Sequence, residues 1–243
     1  MRLVADLHVH TIASGHAYST IKENLVAARE KGLQMMAITD HGPGIPGGPD
    51  LSYFGYLQIL PLEDEGIEIL VGVEANIMGP DGALDIPEKY LDLMDIVLAG
   101  LHPVCYRGGS VSENTKAMIN TIKNPYVDII VHPGNPDYPI DIDEVVAAAR
   151  EYDTLLEINN SSLAGGARAG SGKNCEAIAH ALARYNLPVS VGSDAHYVDR
   201  VGRFDRALQL IDAAGIKESQ VLNTSTEKIK AYLRGKGKLD KRY

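Results

Sequence analysis

The chain is poor in the residue types that mark several large classes of protein. It has no Trp, 2 Phe and 2 Cys among 243 residues. Cys105 and Cys175 stand far apart and in no paired spacing, so we expect free thiols in a reducing compartment. No apolar run approaches the roughly 18 residues of a membrane span, and the acidic Asp6 comes too early for a secretory leader. These absences predict a soluble cytoplasmic protein without a membrane partner.

Basic residues are also in the minority. The chain carries 23 Lys and Arg against 32 Asp and Glu, for a formal net charge of -9. Attachment to the phosphate backbone of nucleic acid needs a positive field, so this balance disfavours nucleic acid as a partner. The length, with 45% hydrophobic residues, suits one domain of barrel size with a sizeable core. A homo-oligomer remains open.

Short apolar strands alternate with helical patterns along the chain. Seven strands are predicted, over residues 2–10, 34–39, 67–77, 95–101, 127–131, 155–158 and 188–191. Helices are predicted over residues 21–31, 53–65, 112–122, 142–149, 174–185, 203–213 and 224–234. The caps include Ser112 and a capping box of Thr224 with Glu227. Residues 235–243 are expected to form a frayed tail.

This alternation predicts the fold. Strands separated by helices pair in parallel and belong to βα units. We therefore predict an α/β fold with one domain over residues 1–243, built as a (β/α) barrel with fewer than the usual eight repeats. The alternative is an open doubly wound sheet.

Histidines and carboxylates collect where the predicted strands end. In the opening segment, alternation along the strand places His8 and His10 on one face, and His16 follows in the loop. In a parallel barrel the carboxyl ends of the strands converge on one mouth, so we expect these side chains to meet. The candidate ligands are His8, His10, His16, His41, Glu74, His102, His132, Asp194 and His196.

Nine candidate ligands exceed the requirement of one metal ion. Neutral imidazoles and carboxylates are ligands for zinc and similar ions, and a tetrahedral site takes about four. The set therefore suits two or three ions, with a carboxylate bridging some of them. An unmetallated, histidine-lined mouth is the alternative.

Eight ordered motifs make the sequence resemble the polymerase and histidinol phosphatase (PHP) family. Within that family it is most similar to single-domain phosphatases of the YcdX type. The resemblance spans nearly the whole chain. The motifs are His8-x-His10, His16-Ala-Tyr-Ser19-Thr20, Ile38-Thr39-Asp40-His41-Gly42-Pro43, Gly72-Val73-Glu74-Ala75-Asn76, His102, His132-Pro133-Gly134-Asn135-Pro136, Glu157-Ile158-Asn159-Asn160-Ser161-Ser162 and Gly192-Ser193-Asp194-Ala195-His196.

The resemblance implies a distorted seven-stranded (β/α) barrel with three divalent metal ions at the carboxyl ends of its strands. The ions are usually zinc in this subgroup, with manganese or iron as alternatives. One ion would be held by His8, His10, Glu74 and Asp194; a second by Glu74, His102 and His132; and the third by His16, His41 and His196.

Such a cluster suits hydrolysis of phosphomonoesters of small molecules. Divalent ions lower the pKa of bound water toward neutrality and clamp the oxygens of a phosphate ester. Asp194 is a candidate proton acceptor, and Asp40 is expected to orient a neighbouring imidazole from behind the ligands. The candidate contacts to the small phosphorylated substrate are Arg168, Lys173 and Asn160.

Three other functions fit parts of the pattern. An amidohydrolase also opens with His-x-His on a barrel strand, but its bridging modified lysine has no counterpart, because Glu74 lies where the bridge is needed. A PHP-type phosphodiesterase or nuclease is disfavoured by the lone domain and the net charge of -9. A non-catalytic metal-binding protein would bind metal without turnover.

Overall fold

The structure is a computed structural model that describes residues 1–239. In this range the strands are β1 (Ala5–Asp6), β2 (Met35–Ile38), β3 (Glu63–Asp64), β4 (Ile67–Asn76), β5 (Ile96–Gly100), β6 (Ile129–Ile130), β7 (Leu155–Asn159) and β8 (Val189–Gly192). The helices are α1 (Ile21–Glu30), α2 (Leu51–Tyr56), α3 (Glu88–Leu91), α4 (Val111–Ile122), α5 (Ile142–Glu151), α6 (Asn160–Leu163), α7 (Gly172–Arg184), α8 (Asp205–Ala214) and α9 (Thr226–Gly235). Among the described helices, none has the length and apolar character that crossing a membrane requires.

The parallel strands form a nearly closed barrel. Within residues 1–239, seven strands pair in the order β1-β2-β4-β5-β6-β7-β8, and every pair along this path is parallel. The helices lie between successive strands, as parallel connections require. The predicted seven-stranded (β/α) barrel is therefore confirmed, and the open doubly wound sheet is excluded.

Two sets of contacts join the first and last strands. At the carboxyl ends, Val9 pairs with Ala195, and the backbone N–H of His10 donates to the Ala195 carbonyl at 2.9 Å. At the other end, the buried Asn223 side chain donates to the carbonyls of Ala5 (3.1 Å) and Val191 (2.8 Å). It also accepts from Val191 N–H at 2.8 Å. Asn223 thus replaces the ladder bonds that β1 and β8 do not make with each other.

The barrel interior is filled with apolar side chains, and helix α9 covers it at the amino ends of the strands. Alternate strand residues point inward and form one cluster, which includes Leu7, Met35 and Leu98. Ile229 and Leu233 of α9 pack against this cluster from below. The interior therefore leaves its opposite, carboxyl end for polar side chains.

The described part of the predicted frayed tail, residues 235–239, is anchored to the barrel. The Lys238 ammonium forms a buried ion pair with Asp128 and donates to the Tyr126 carbonyl at 2.8 Å. Lys236 donates to the Asp153 carbonyl at 3.1 Å. The expectation for residues 235–243 is wrong through residue 239, because these lysines bond groups at the amino ends of the strands; residues 240–243 lie outside the described range.

The helix predicted over residues 53–65 is also wrong. Helix α2 begins after Asp50, whose carboxylate caps Ser52 N–H at 2.8 Å. Pro61 supplies no N–H and disfavours helix at the residue before it, so the helical pattern cannot continue. Glu65 and Gly66, with φ of 55° and 75°, form a tight turn between β3 and β4, which pair antiparallel.

Two predicted caps are displaced along the chain. Helix α4 is capped by Ser110 in a capping box with Glu113, not by Ser112. Helix α9 is capped by Ser225, whose hydroxyl accepts from Glu227 N–H and Lys228 N–H. Each segment contains more than one hydroxyl residue near the start of the helix, and the sequence pattern does not show which of them is the cap.

The Asn223 contacts predict a large stability loss on truncation. Asn223→Ala leaves two buried carbonyls and one buried N–H unpaired, and each unpaired group costs about 1–3 kcal/mol. We expect the free energy of unfolding to fall by about 3–5 kcal/mol, measured by urea denaturation. Asn120→Ala is the matched control, because that half-buried amide makes one hydrogen bond, to the Pro80 carbonyl. Equal losses in the two variants would contradict the closing role of Asn223.

Candidate metal centre

The strand order brings the nine predicted ligand residues to one end of the barrel. Each lies at or just beyond the carboxyl end of a parallel strand, or in the first loop. Glu74 is at the centre and is fully buried (0% exposed). Five imidazole nitrogens lie within 3.3 Å of its two carboxylate oxygens, from His8, His10, His41, His102 and His132.

Four ligand atoms, from His8, His10, Glu74 and Asp194, have spacings similar to those of a tetrahedral zinc site. His8 Nε2 and His10 Nε2 are 3.1 Å apart. Glu74 Oε2 lies 3.3 and 3.2 Å from them, and Asp194 Oδ1 lies 3.6 and 3.4 Å from them. Zinc bonds of about 2.0–2.1 Å place tetrahedral ligands about 3.3–3.4 Å apart. These five separations are close to those of tetrahedral ligands, and the ligand atoms of His8, His10 and Asp194 all lie within 4.8 Å of one another.

The other oxygen of Glu74 faces a second pair of imidazoles. Glu74 Oε1 lies 2.8 Å from His132 Nε2 and 3.1 Å from His102 Nε2. His41 Nδ1 lies 2.9 Å from Glu74 Oε2. One carboxylate thus reaches two separate groups of nitrogens, which is the arrangement of a bridging ligand.

His16 and His196 lie nearer the solvent. Their Nε2 atoms are 3.1 Å apart, and the ring of His196 lies 4.2 Å from that of His10 between centroids. The ligand atoms of His10, His41 and His196 lie within 4.8 Å of one another. The ligand atoms of His41, Glu74 and His102 do so too, so His41 stands between two groups that could each hold an ion.

Glu157 fixes the orientation of His8, and the sequence analysis gave it no role. His8 Nδ1 donates to Glu157 Oε1 at 2.8 Å, so the lone pair of His8 is on Nε2, toward Glu74. The second oxygen of Glu157 accepts from the backbone N–H of His132 at 2.9 Å and from the Asn159 amide at 2.9 Å. The sequence signal that could have identified Glu157 is an acidic residue between the apolar Leu156 and Ile158 of β7.

Asp40 acts on His10 through Ser14. Ser14 Oγ donates to Asp40 Oδ1 at 2.7 Å and therefore accepts from His10 Nδ1 at 3.0 Å. The other carboxylate oxygen of Asp40 accepts from Tyr53 OH at 2.6 Å and Thr11 Oγ1 at 2.8 Å. The sequence analysis named Asp40 as a group that orients a neighbouring imidazole, and it missed Ser14 and Tyr53.

His102 is held in the same way by an amide. Its Nδ1 donates to Asn76 Oδ1 at 2.7 Å. The amide nitrogen of Asn76 donates to Asp85, which also accepts from Asn76 N–H and Gly44 N–H, each at 2.8 Å. These contacts fix the amide orientation and leave the lone pair of His102 on Nε2.

Several buried polar atoms of the centre have no partner within the chain. Among residues 1–239, His41 Nδ1, Glu74 Oε2 and His102 Nε2 are buried and make no hydrogen bond. Unpaired buried polar groups are rare and call for an explanation such as an ion. Their lone pairs face each other, which is unfavourable by itself and favourable around a cation. The donor set therefore fits divalent metal.

Electrostatics and burial act differently on the histidines of the centre. Burial would lower the pKa of His8 and His10, but the surrounding carboxylates outweigh it and raise both pKa values. Burial lowers the pKa of His132 and of His196 to about 4. Burial would raise the pKa of Asp194, but the charges of Arg168 and His8 outweigh it and hold that pKa well below its usual value. Neutral imidazoles and carboxylates are the protonation states that metal ions require.

Two of the candidate ligands have a left-handed backbone. His132 has φ of 36° and Asp194 has φ of 55°. Outside glycine such conformations cost about 1–3 kcal/mol each and concentrate at functional sites. Both residues turn sharply off a strand end, and the turn aims their side chains back across the barrel mouth.

Gly192 provides the space in which Glu157 and His8 meet. A Cβ at Gly192 would lie 1.9 Å from Glu157 Oε1 and 2.7 Å from His8 Cβ. Gly100 does the same on another strand, where a Cβ would lie 2.7 Å from His132 Cε1. Strand positions facing the centre must therefore lack side chains at these points.

A cavity of about 890 Å³ opens above the centre. Arg168 lines it, pairs with Asp194 Oδ2, and donates from Nε to Ser162 Oγ at 2.9 Å. Asn160 also lines it, but its side-chain oxygen accepts from the backbone of α8, at Arg206 N–H and Ala207 N–H. Lys173 is exposed on α7, outside the residues that line this cavity.

Comparisons with known proteins agree on one family. The profile of the PHP domain matches residues 6–235. A probable phosphatase of Caldanaerobacter subterraneus subsp. tengcongensis is 55% identical over 98% of this chain and 94% of its own length. A probable phosphatase of Acetivibrio thermocellus is 46% identical over 97% of both chains.

Solved structures share the fold at low identity. The histidinol phosphate phosphatase of Lactococcus lactis, solved with zinc, L-histidinol and phosphate, aligns with a TM-score of 0.60 at 14% identity. The alignment covers 88% of this chain and 94% of that one. A chain in the structure of archaeal ribonuclease P with mature tRNA aligns with a TM-score of 0.58 at 12% identity, over 96% and 90%.

The solved structures establish the likeness of fold alone. Family membership follows from the profile, which covers nearly the whole chain, and from relatives of 46–55% identity over nearly the full length. The predicted membership is confirmed: the chain belongs to the PHP domain family.

Proposed function

We propose that this protein is a metal-dependent phosphatase that hydrolyses phosphomonoesters of small molecules at a centre of three divalent ions. The observation that carries the proposal is the convergence of imidazole nitrogens and carboxylate oxygens around Glu74, at distances that suit zinc. The close relatives are named probable phosphatases, and the structural neighbour from Lactococcus lactis was solved with zinc and phosphate.

The proposed ligand sets are those that the resemblance to the family implies, and the short distances between their members support them. His8, His10, Glu74 and Asp194 would hold the first ion; Glu74, His102 and His132 the second; and His16, His41 and His196 the third. When bound, such ions lower the pKa of water and neutralise the charge on a phosphoryl group.

The chain's own groups would position the substrate and the attacking water. Arg168 lines the cavity beside Asp194, and its Nη1, the guanidinium nitrogen that is not bonded to Ser162, Asn159 or Asp194, could donate to a phosphate oxygen. Asp194 keeps its negative charge at neutral pH because of its low pKa, so it can orient water by accepting a hydrogen bond. Asp40 would contribute by holding Ser14 and thus the ring of His10.

Metal removal tests the reaction class. Dialysis against a chelator should lower the turnover of 4-nitrophenyl phosphate at least 100-fold, because the proposed reaction needs the cations to activate water and to neutralise the phosphoryl charge. Zinc, manganese and ferrous iron are then added back separately, and bound metal is counted by mass spectrometry. We expect recovery as the content approaches three ions per chain.

The same samples separate the alternatives. Bis(4-nitrophenyl) phosphate and a single-stranded DNA oligonucleotide test for a phosphodiesterase, and an amide and a lactone test for an amidohydrolase. Faster turnover of the diester or the DNA would replace the phosphatase proposal. Three bound ions without turnover of any phosphoester would instead indicate a non-catalytic metal-binding protein.

Gly192→Ala tests the positioning of the first ion. The added methyl group must displace Glu157 or His8, so we expect the affinity for zinc and kcat both to fall at least about tenfold. Gly172→Ala is the matched control, because a Cβ at that position meets no atom within 4 Å. Unfolding curves show whether Gly192→Ala is folded; a folded variant with full zinc content and activity would overturn the proposed positioning.

Arg168→Gln tests the phosphate contact. Loss of the guanidinium should lower kcat/KM for 4-nitrophenyl phosphate by about 100-fold, which is equivalent to about 2.7 kcal/mol of transition-state stabilisation. Lys173→Gln removes the other cation expected from the sequence, and it should change kcat/KM by less than twofold because Lys173 does not line the cavity. The reverse ranking of the two variants would show that the substrate enters from the side of α7.

A further inference from the structure

The cavity is larger than a phosphoryl group needs. A compact space of about 890 Å³ measures roughly 12 Å across. The phosphoryl group would lie at the metal end, against His41, His102 and Asp194. The remaining space must receive the leaving group of the substrate. The side chains that line this space therefore indicate which chemical groups the leaving group carries.

Two arginines on one short segment face this remaining space. Arg200 and Arg203 line the cavity in the loop between β8 and α8, and both are exposed. Within the part of the chain that the structure describes, neither has a carboxylate at ion-pair distance; Arg203 Nε donates only to the Asp199 carbonyl, at 2.9 Å. We call Arg200 and Arg203 the rim arginines.

Two tyrosines line the cavity together with the rim arginines. Tyr18 (75% exposed) and Tyr197 (50% exposed) line the same cavity. Their segments are joined, since Tyr18 N–H donates to the His196 carbonyl at 2.9 Å. Large aromatic side chains so exposed offer an apolar surface to a ligand.

The balance of charge at the mouth is opposite to that of the chain. Outside the centre, the charged lining residues are Arg168, the rim arginines and a single acid, Asp137. The chain as a whole has a net charge of -9. Cations without partners in such a chain mark a place where negative charge is bound.

We propose that the preferred substrate is a phosphomonoester whose leaving group has a flat ring and a second anionic group, which the rim arginines bind. The inference rests on the proposed phosphatase function and adds the class of leaving group. The ring would lie along Tyr18 and Tyr197, with the reacting phosphate at the metal end and the second anion at Arg200 and Arg203.

The experiment compares substrates that differ only in the remote charge. Phenyl phosphate, 4-carboxyphenyl phosphate and the nearly isosteric neutral 4-carbamoylphenyl phosphate are assayed with the metal-loaded protein. We expect kcat/KM for the carboxylate to exceed that for the amide about tenfold, mainly through KM, because a charge-assisted contact to Arg adds binding energy. In Arg200→Gln/Arg203→Gln this ratio should fall toward one.

A binding measurement removes any effect of leaving-group reactivity. 4-Carboxybenzylphosphonate and 4-carbamoylbenzylphosphonate cannot be hydrolysed, and their inhibition constants should show the same preference and the same loss in the double variant. Arg150→Gln is the control, because Arg150 is exposed at the end of α5, on the opposite side of the barrel from the cavity. It should leave both ratios unchanged.

The outcomes distinguish the two proposals. If no phosphomonoester is hydrolysed, the phosphatase proposal fails. If phenyl phosphate is hydrolysed but the carboxylate has no advantage, or if its advantage survives in the double variant, the second anion site is wrong and the phosphatase proposal stands. Tyr18→Ala/Tyr197→Ala should weaken benzylphosphonate binding more than methylphosphonate binding; equal weakening would exclude the ring contact.

Discussion

The burial of Glu74 among five imidazoles is the interaction on which the rest of the structure depends. Its carboxylate is fully buried where the barrel mouth meets the apolar interior, and it cannot be hydrated there. Its Oε2 makes no hydrogen bond, and the Nδ1 atoms of His8, His10 and His102 are turned outward to other partners. Unprotonated nitrogens and oxygens at van der Waals distance repel one another. Divalent cations remove this repulsion, so the geometry is that of a site built around metal.

Each imidazole is held by a partner that the barrel supplies from another segment. Glu157 on β7 fixes His8, Ser14 with Asp40 fixes His10, and Asn76 on β4 fixes His102. The contact between Glu157 and His8 fits only because Gly192 on the neighbouring strand β8 lacks a side chain. The centre is therefore specified by small residues and buried acceptors as much as by the candidate ligands. Rigidity at the metal end contrasts with the exposed tyrosines and arginines at the opening.

Closure of the barrel links the fold to the site. Strands β1 and β8 form no regular hydrogen-bond ladder with each other. The segments that follow these two strands carry His8, His10 and Asp194. A few bonds, from Asn223 below and from His10 N–H to Ala195 above, hold them together. The irregular closure leaves the chain near Asp194 free to adopt its left-handed turn, which an ideal strand would not allow. A distorted barrel is thus the form in which these ligands can converge.

The sequence by itself determined the seven parallel strands and the placement of the candidate ligands at their carboxyl ends, because apolar period and strand-end position are local properties. It also determined the family, since the ordered motifs are local. Only the tertiary structure decided the partners of those ligands: Glu157, Ser14 and Asn223 act across strands that are far apart in the chain. It likewise excluded Lys173 from the cavity and anchored Lys238 under the barrel. Such contacts depend on which strands become neighbours and on where backbones approach closely, and no local pattern encodes either.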